Sequence, residues 1–201
     1  MKRMVSFPTV SICLPGWMGE FLSTCSPVFP AIEDRMHLVI DIARHNVERG
    51  TGGPFGAGVF DSEGRLIAPG VNLVMASNCS VLHAEIIALS VAQRILGRYD
   101  IGDGGRLRFD LVSSVEPCAM CFGAIPWAGV SRLICGARDE DARAIGFDEG
   151  PKLPDWAAEL RLRGIEVVRG VLRDEAVSVL RAYVDAGGII YNAGHAPGPC
   201  P

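Results

Sequence analysis

The chain has 201 residues, 49% of them hydrophobic and 21% charged, which excludes a disordered segment and suits one domain with a sizeable core. A formal net charge of −4 makes it a poor electrostatic partner for phosphate backbones, so no nucleic-acid partner is expected. No apolar run is long enough to span a bilayer, and seven cysteines without framework spacing suit a reducing cytoplasm, so no membrane partner and a cytoplasmic location are expected.

Lys2 and Arg3 precede a partly apolar stretch that resembles a weak signal peptide, but Pro8, Pro15 and Glu20 interrupt it. Residues 1–30 therefore read as an irregular arm packing on the domain, with the domain itself at 31–187 and a tail at 188–201. Apolar residues at 32, 36, 39, 40, 43 and 47 predict a helix over 32–48 that stops at Gly50. Gly52-Gly53-Pro54 breaks the chain. Residues 56–60 and 66–75 read as two strands joined by the Asp61-Ser62-Glu63-Gly64 turn. A second helix, 82–96, has apolar residues at 82, 86, 89, 92 and 96. A glycine loop at 102–105 leads to a strand at 107–114, a helix opening at the Pro117-Cys118 pair, and a strand at 132–137. Residues 138–155 are loop-rich with a short helical turn. Helix 157–163, strand 165–170 and helix 174–186 follow. Helices and strands in this order imply a three-layer α/β/α architecture with helices on both faces of a mixed central sheet of about five strands.

The chemistry concentrates at two helix starts. His83-Ala84-Glu85 opens the helix at 82–96, and Pro117-Cys118-Ala119-Met120-Cys121 opens the next. One imidazole and two thiolates, from His83, Cys118 and Cys121, suit a tetrahedral Zn²⁺, and three protein ligands leave a fourth position for water. One zinc per chain with a bound water is expected. Cys118 and Cys121 are spaced i, i+3, so on a helix they share a face, and Pro117 suits the first helical position. Glu85 is not needed as a ligand and is placed to move protons. The rival is a structural zinc with a fourth ligand elsewhere, Cys79 being the nearest candidate, but a structural site has no need of a carboxylate beside the histidine.

His83-Ala84-Glu85 and Glu116-Pro117-Cys118-Ala119-Met120-Cys121 resemble the cytidine and deoxycytidylate deaminase superfamily over roughly residues 32–170. Gly52-Gly53-Pro54-Phe55-Gly56-Ala57, the tryptophan of Ala124-Ile125-Pro126-Trp127-Ala128, and Gly146-Phe147-Asp148-Glu149-Gly150 narrow the likeness to bacterial guanine deaminases of the domain-swapping kind. It extends to Ile189-Ile190-Tyr191-Asn192-Ala193.

The resemblance implies a cytidine-deaminase-like fold and zinc-dependent hydrolysis of guanine to xanthine and ammonia, a small-molecule nucleobase being the partner. Other small amino-heterocycles, such as aminotriazines or cytosine-type bases, meet the same chemistry, and a tRNA adenosine deaminase is the rival that the acidic charge opposes. The resemblance also implies roles for individual residues. Glu85 moves protons for the metal-activated water. Glu149 contacts the amino and ring N–H groups of guanine and assists the leaving amine, with adjacent Asp148 as the fallback. Asn72 hydrogen-bonds the base, Phe55 stacks on it, Trp127 lines the pocket wall and Tyr191 closes the pocket. Taken without the resemblance, Asn72 reads as a turn residue, Phe55 and Trp127 as packing aromatics and Glu149 as a solvated charge. Glu116 reads as a cap of the cysteine helix. Pro126 falls late in that helix and should end or kink it.

Residues 187–201 open with Gly187-Gly188, a hinge, followed by the apolar tip Ile189-Ile190-Tyr191. Such a segment favours exchange between identical subunits, so a homodimer is expected, its tail covering a neighbour's pocket as the resemblance also implies. His195 and Cys200 read as part of a loose end, given the prolines at 197 and 199.

Overall fold

A computed structural model describes residues 7–192; residues 1–6 of the arm and the tail beyond Asn192, with Ala193, His195 and Cys200, lie outside the described residues. Alternating apolar residues build one five-stranded mixed sheet. Its strands are β1 (Gly56–Asp61), β2 (Leu66–Val71), β3 (Phe109–Val115), β4 (Arg132–Ala137) and β5 (Glu166–Arg169), ordered β2-β1-β3-β4-β5. β1 runs antiparallel to β2 and β3, whereas β3, β4 and β5 are parallel.

The period of two sends successive residues into opposite layers. Val59, Leu111, Leu133 and Val167 pack with α4 (Ala84–Leu96), α5 (Ala119–Ala128) and α7 (Trp156–Leu162). Phe60, Val112 and Ile134 pack with α2 (Ile32–Glu48) and α8 (Arg173–Asp185) on the other face. Phe60, Ile87, Ile125, Leu133 and Leu160 are fully buried. Each such side chain stabilises the fold by roughly 1.5–3 kcal/mol relative to an exposed one. The three-layer architecture read from the sequence is the one observed.

Close packing sets the position of α4. A Cβ on Gly70 of β2 would lie 2.1 Å from the Ala84 carbonyl oxygen and 2.7 Å from the Ala88 nitrogen. Only glycine lets the helix rest its first turns directly on the strand, and those turns carry His83 and Glu85.

Several boundaries depart from expectation. The arm is not wholly irregular: α1 (Trp17–Ser23) lays Met18 into the core and sets Trp17 and Phe21 against His45 of α2, with ring centroids 5.6 and 4.4 Å from the imidazole. β2 stops at Val71, because Asn72 Oδ1 accepts a hydrogen bond from the Val74 amide at 3.2 Å and turns the chain into α3 (Val74–Ser77). By contrast, the short helical turn expected in the loop-rich stretch after β4 is present as α6 (Asp139–Ala144). α5 begins at Ala119 with Cys118 as its N-cap, so Pro117 precedes the cap instead of taking the first helical position. Pro126 does not end α5, which runs on to Ala128 and stops at Gly129, where φ is 79°. A proline this close to the end removes one hydrogen bond from a turn that is closing anyway.

Candidate active site

Two helix starts and one strand converge at the carboxyl ends of β3 and β4. His83 caps α4 with extended backbone (φ −73°, ψ 157°), and Cys118 caps α5 the same way (φ −64°, ψ 173°). Both side chains therefore point off a helix N-terminus, and Cys121 joins them from the first turn of α5. Their ligand atoms lie within 4.8 Å of one another, with Cys118 Sγ 3.5 Å from His83 Nδ1. A tetrahedral zinc with Zn–S near 2.3 Å needs ligand atoms about 3.8 Å apart, so the spacing fits.

The electrostatics fit as well. The Cys118 thiol is held down to about 4, first by hydrogen bonding from Cys121 and further by His83. The same pairing, with burial, pushes Cys121 far up. Two buried sulfurs this close resist ionising together, and a divalent cation removes that conflict. The helix dipoles favour the thiolates too. Burial pushes the His83 imidazole down, but hydrogen bonding and charge from Cys118 outweigh it and leave it raised.

Two carboxylates stand beside the triad. Glu85 is 6% exposed, its carboxylate held by Ser113 Oγ, which donates to Oε1 at 3.1 Å. Burial, then the charge of Cys118, pushes Glu85 up from the ordinary carboxylate range. Glu149 is equally buried, and burial followed by Cys118 and Glu85 pushes it up to about 8, against the opposing charge of Lys152. The Glu149 loop is tied to α5, since the Ala119 amide donates to the Glu149 carbonyl at 2.9 Å and Lys152 Nζ donates to the Pro117 carbonyl at 2.8 Å.

The pocket in front of these groups has a volume of about 230 Å³ and is lined by Phe55, Asn72, His83, Glu85, Cys118, Asp148, Glu149 and Tyr191, together with Val74, Ser80, Glu116, Phe147, Gly150 and Asn192. All the expected site residues except Trp127 and Cys121 line it, and Cys121 lies buried behind it as a member of the metal cluster. Phe55 and Tyr191 both set their rings edge-on against Phe147, at 5.0 and 5.1 Å between centroids. Asp148 is the more solvated of the two acidic neighbours, its side chain 62% exposed. Trp127 is corrected: it is 81% exposed and lines a separate groove with Tyr99 and Leu160, because its place near the end of α5 turns it away from the cysteine end.

Glu116 is not a helix cap either. Its Oε1 accepts from Arg169 of β5 at 2.6 Å and its Oε2 from the Asp139 amide at 3.2 Å, tying the strand ends beneath the pocket. The tail returns to its own domain: Asn192 Oδ1 accepts from the Asp148 amide at 2.9 Å and Asn192 Nδ2 donates to the Gly146 carbonyl at 2.8 Å. Tyr191 Oη is buried there with no hydrogen-bond partner among the described residues.

Sequence reasoning missed Ser113, Ser80, Phe147, Lys152 and Asn192 as individual site residues. Ser113 carried one usable signal, since it continues the face of β3 that holds Phe109 and Leu111 and so points at α4. The others depend on a loop and a tail that meet only in three dimensions.

A family model described as the cytidine and deoxycytidylate deaminase zinc-binding region matches residues 31–137. The chain is similar to the guanine deaminase of Bacillus subtilis (strain 168), 41% identical over 110 residues that cover 55% of this chain and 67% of that one. It is also similar to a solved guanine deaminase from Nitrosomonas europaea, at 45% identity and a TM-score of 0.82 over 87% of this chain and 96% of that one. A further similar structure is that of NE0047 in complex with 2,6-diaminopurine, at 46% identity and a TM-score of 0.83 over 91% and 96% of the two chains. With three convergent metal ligands and a buried glutamate beside them, the chain belongs to the cytidine and deoxycytidylate deaminase family and is a zinc-dependent hydrolase.

Proposed function

We propose that this enzyme hydrolyses guanine to xanthine and ammonia. The observation that carries the reading is the pair of buried carboxyl groups, Glu85 and Glu149, brought by two different elements to one small pocket headed by His83, Cys118 and Cys121. The likeness to guanine deaminases across nearly the whole of a solved chain supports it.

His83, Cys118 and Cys121 hold the zinc, which when bound lowers the pKa of a coordinated water toward neutrality. Glu85 accepts a proton from the attacking water and delivers it to ring N3 as the water oxygen bonds to C2. Ser113 keeps the Glu85 carboxylate aimed at that proton. Glu149, protonated near neutral pH because of its burial, gives its proton to the 2-amino group, and the C2–N bond breaks to release ammonia. The new C2 hydroxyl returns the proton to Glu149 as it becomes the carbonyl of xanthine. Asn72 fixes the base by hydrogen bonding, and Phe55 packs on its face. Asp148 sits at the mouth and orders the Glu149 turn, its Oδ1 accepting from the Gly150 amide at 2.8 Å.

Tyr191 closes the pocket over the bound base. The enzyme works as a homodimer, which the exposed Trp127, Tyr99 and Leu162 support. It resides in the cytoplasm, in keeping with six free cysteines among the described residues. Among those residues, no helix is long and apolar enough to cross a membrane.

The test is ammonia release by purified protein across free bases, nucleosides and aminotriazines. Guanine should be deaminated, and cytidine and adenosine should not. Efficient release from cytidine with none from guanine overturns the substrate assignment while leaving the hydrolase intact.

A further inference from the structure

We propose that a hydrogen-bond relay from the N-terminal helix, Trp17 to Thr51 to Asn46, positions the Phe55–Asn72 wall of the pocket, with Asn46 as the positioning residue. This rests on the reading that Asn72 contacts the base.

Each donor in the relay points the same way. Trp17 Nε1 donates to Thr51 Oγ1 at 3.0 Å. Thr51 Oγ1 donates to Asn46 Oδ1 at 2.7 Å. Asn46 Nδ2 then donates to two carbonyls at once, Gly53 at 2.9 Å and Asn72 at 3.0 Å. The hydroxyl accepts one bond and donates one, and the amide uses its oxygen and both of its hydrogens, so every role is satisfied. Two carbonyl acceptors leave Asn46 only one amide orientation.

The receiving end is the pocket wall. The Asn72 amide donates to the Phe55 carbonyl at 3.1 Å, and the Phe55 amide to the Gly53 carbonyl at 2.9 Å. Gripping the Gly53 and Asn72 carbonyls therefore fixes both residues that flank the base. The fit is close: a Cβ on Gly52 would lie 1.9 Å from the Asn72 oxygen and 2.7 Å from Asn46 Nδ2.

Asn46 itself is wholly buried on α2 and does not line the pocket. A buried asparagine is costly where leucine would fit, unless its bonds specify a geometry. Here they fix the separation of two loops just past the last β1–β2 pair, Gly56 with Val71, where the bond from the Asn72 amide to the Phe55 carbonyl is the ladder's final rung. Trp17 of α1 anchors the far end, its ring packed on His45 of α2, the helix that carries Asn46. The helix within the arm thereby acquires a task in substrate recognition.

Thr51→Val is the test variant, because it keeps the side-chain shape and removes the hydroxyl that links both bonds. A buried hydrogen-bonding group left unpaired is expected to weaken the wall enough to raise KM for guanine about tenfold, with kcat within about twofold and zinc content unchanged. Asn46→Asp, which turns an oxygen toward both carbonyls, should raise KM further. A purely structural role would give the same loss whatever stands at position 72. The relay predicts instead that Thr51→Val changes KM by less than twofold in an Asn72→Ala background. Equal losses in both backgrounds, or an unchanged KM in Thr51→Val, overturn the proposal. If the unaltered enzyme fails to turn over guanine, the functional reading falls separately. The relay is then judged by amide hydrogen exchange at Asn72, which Thr51→Val should accelerate about tenfold and which an unchanged rate would refute.

Discussion

Gly70→Ala tests whether the packing of α4 on β2 sets the catalytic geometry. The added methyl would lie 2.1 Å from the Ala84 carbonyl oxygen, 2.7 Å from the Ala88 nitrogen and 2.9 Å from the Ala88 Cβ. None of these is the free end of a flexible side chain. Restoring ordinary contact at 3.4 Å from 2.1 Å requires about 1.3 Å of relative movement between helix and strand. Overpacking of this kind costs roughly 1–3 kcal/mol, which for a domain of this size lowers Tm by about 2–12 °C. The movement falls on the first turn of α4, which carries Glu85 and follows His83. A displacement near 1 Å costs on the order of 10²-fold in rate when it misaligns reacting groups. Calorimetry should therefore show the Tm loss, and steady-state kinetics on guanine should show kcat/KM reduced about 10²-fold at a temperature where the variant stays folded. A variant with normal Tm and normal turnover would refute the argument that helix-on-strand contact places the site.

Glu85→Gln should keep zinc and fold while turnover falls by at least ~10²-fold, measured by metal analysis and xanthine formation. Glu149 titrates near 8, and turnover needs its protonated form, so kcat should fall as pH rises through about 8 and Glu149→Gln should lose that alkaline limb while losing rate below it. The same raised pKa has a stability consequence. Its contribution is fully present below the unfolded value near 4.5 and is lost as pH rises through 8, so Glu149→Gln should flatten the loss of Tm over that window. Removing residues 188–201 takes away Tyr191 and Asn192 and should impair catalysis more than zinc binding; unchanged activity would show that the tail does not close the pocket.

The layers and most elements were legible because burial imposes periodicity: α2 and the strands read directly from apolar spacing. The metal ligands were legible because the ligand types and spacings are chemically narrow. The misses have physical causes. Residues 72–75 look like a continued strand, but the Asx turn at Asn72 takes the chain into α3, and side-chain turn chemistry is invisible to apolar spacing. The amphipathic spacing of Trp17, Met18, Phe21 and Leu22 was present in the arm but lay among prolines and glycines. Trp127 was drawn to the pocket by its nearness in sequence to Cys121, yet six residues along a helix carry a side chain to its far end. Ser113, Lys152 and the Trp17–Thr51–Asn46 relay join residues distant in sequence, so only the folded chain reveals them.

Metal reconstitution puts the central claim to its most direct test. Protein stripped by a chelator should form no xanthine from guanine, and activity should return in proportion to added zinc, reaching its plateau at about one equivalent per chain. Glu85→Gln taken through the same titration should bind the same equivalent and form almost no xanthine. Full guanine turnover by zinc-free protein, or by zinc-loaded Glu85→Gln, would contradict the account.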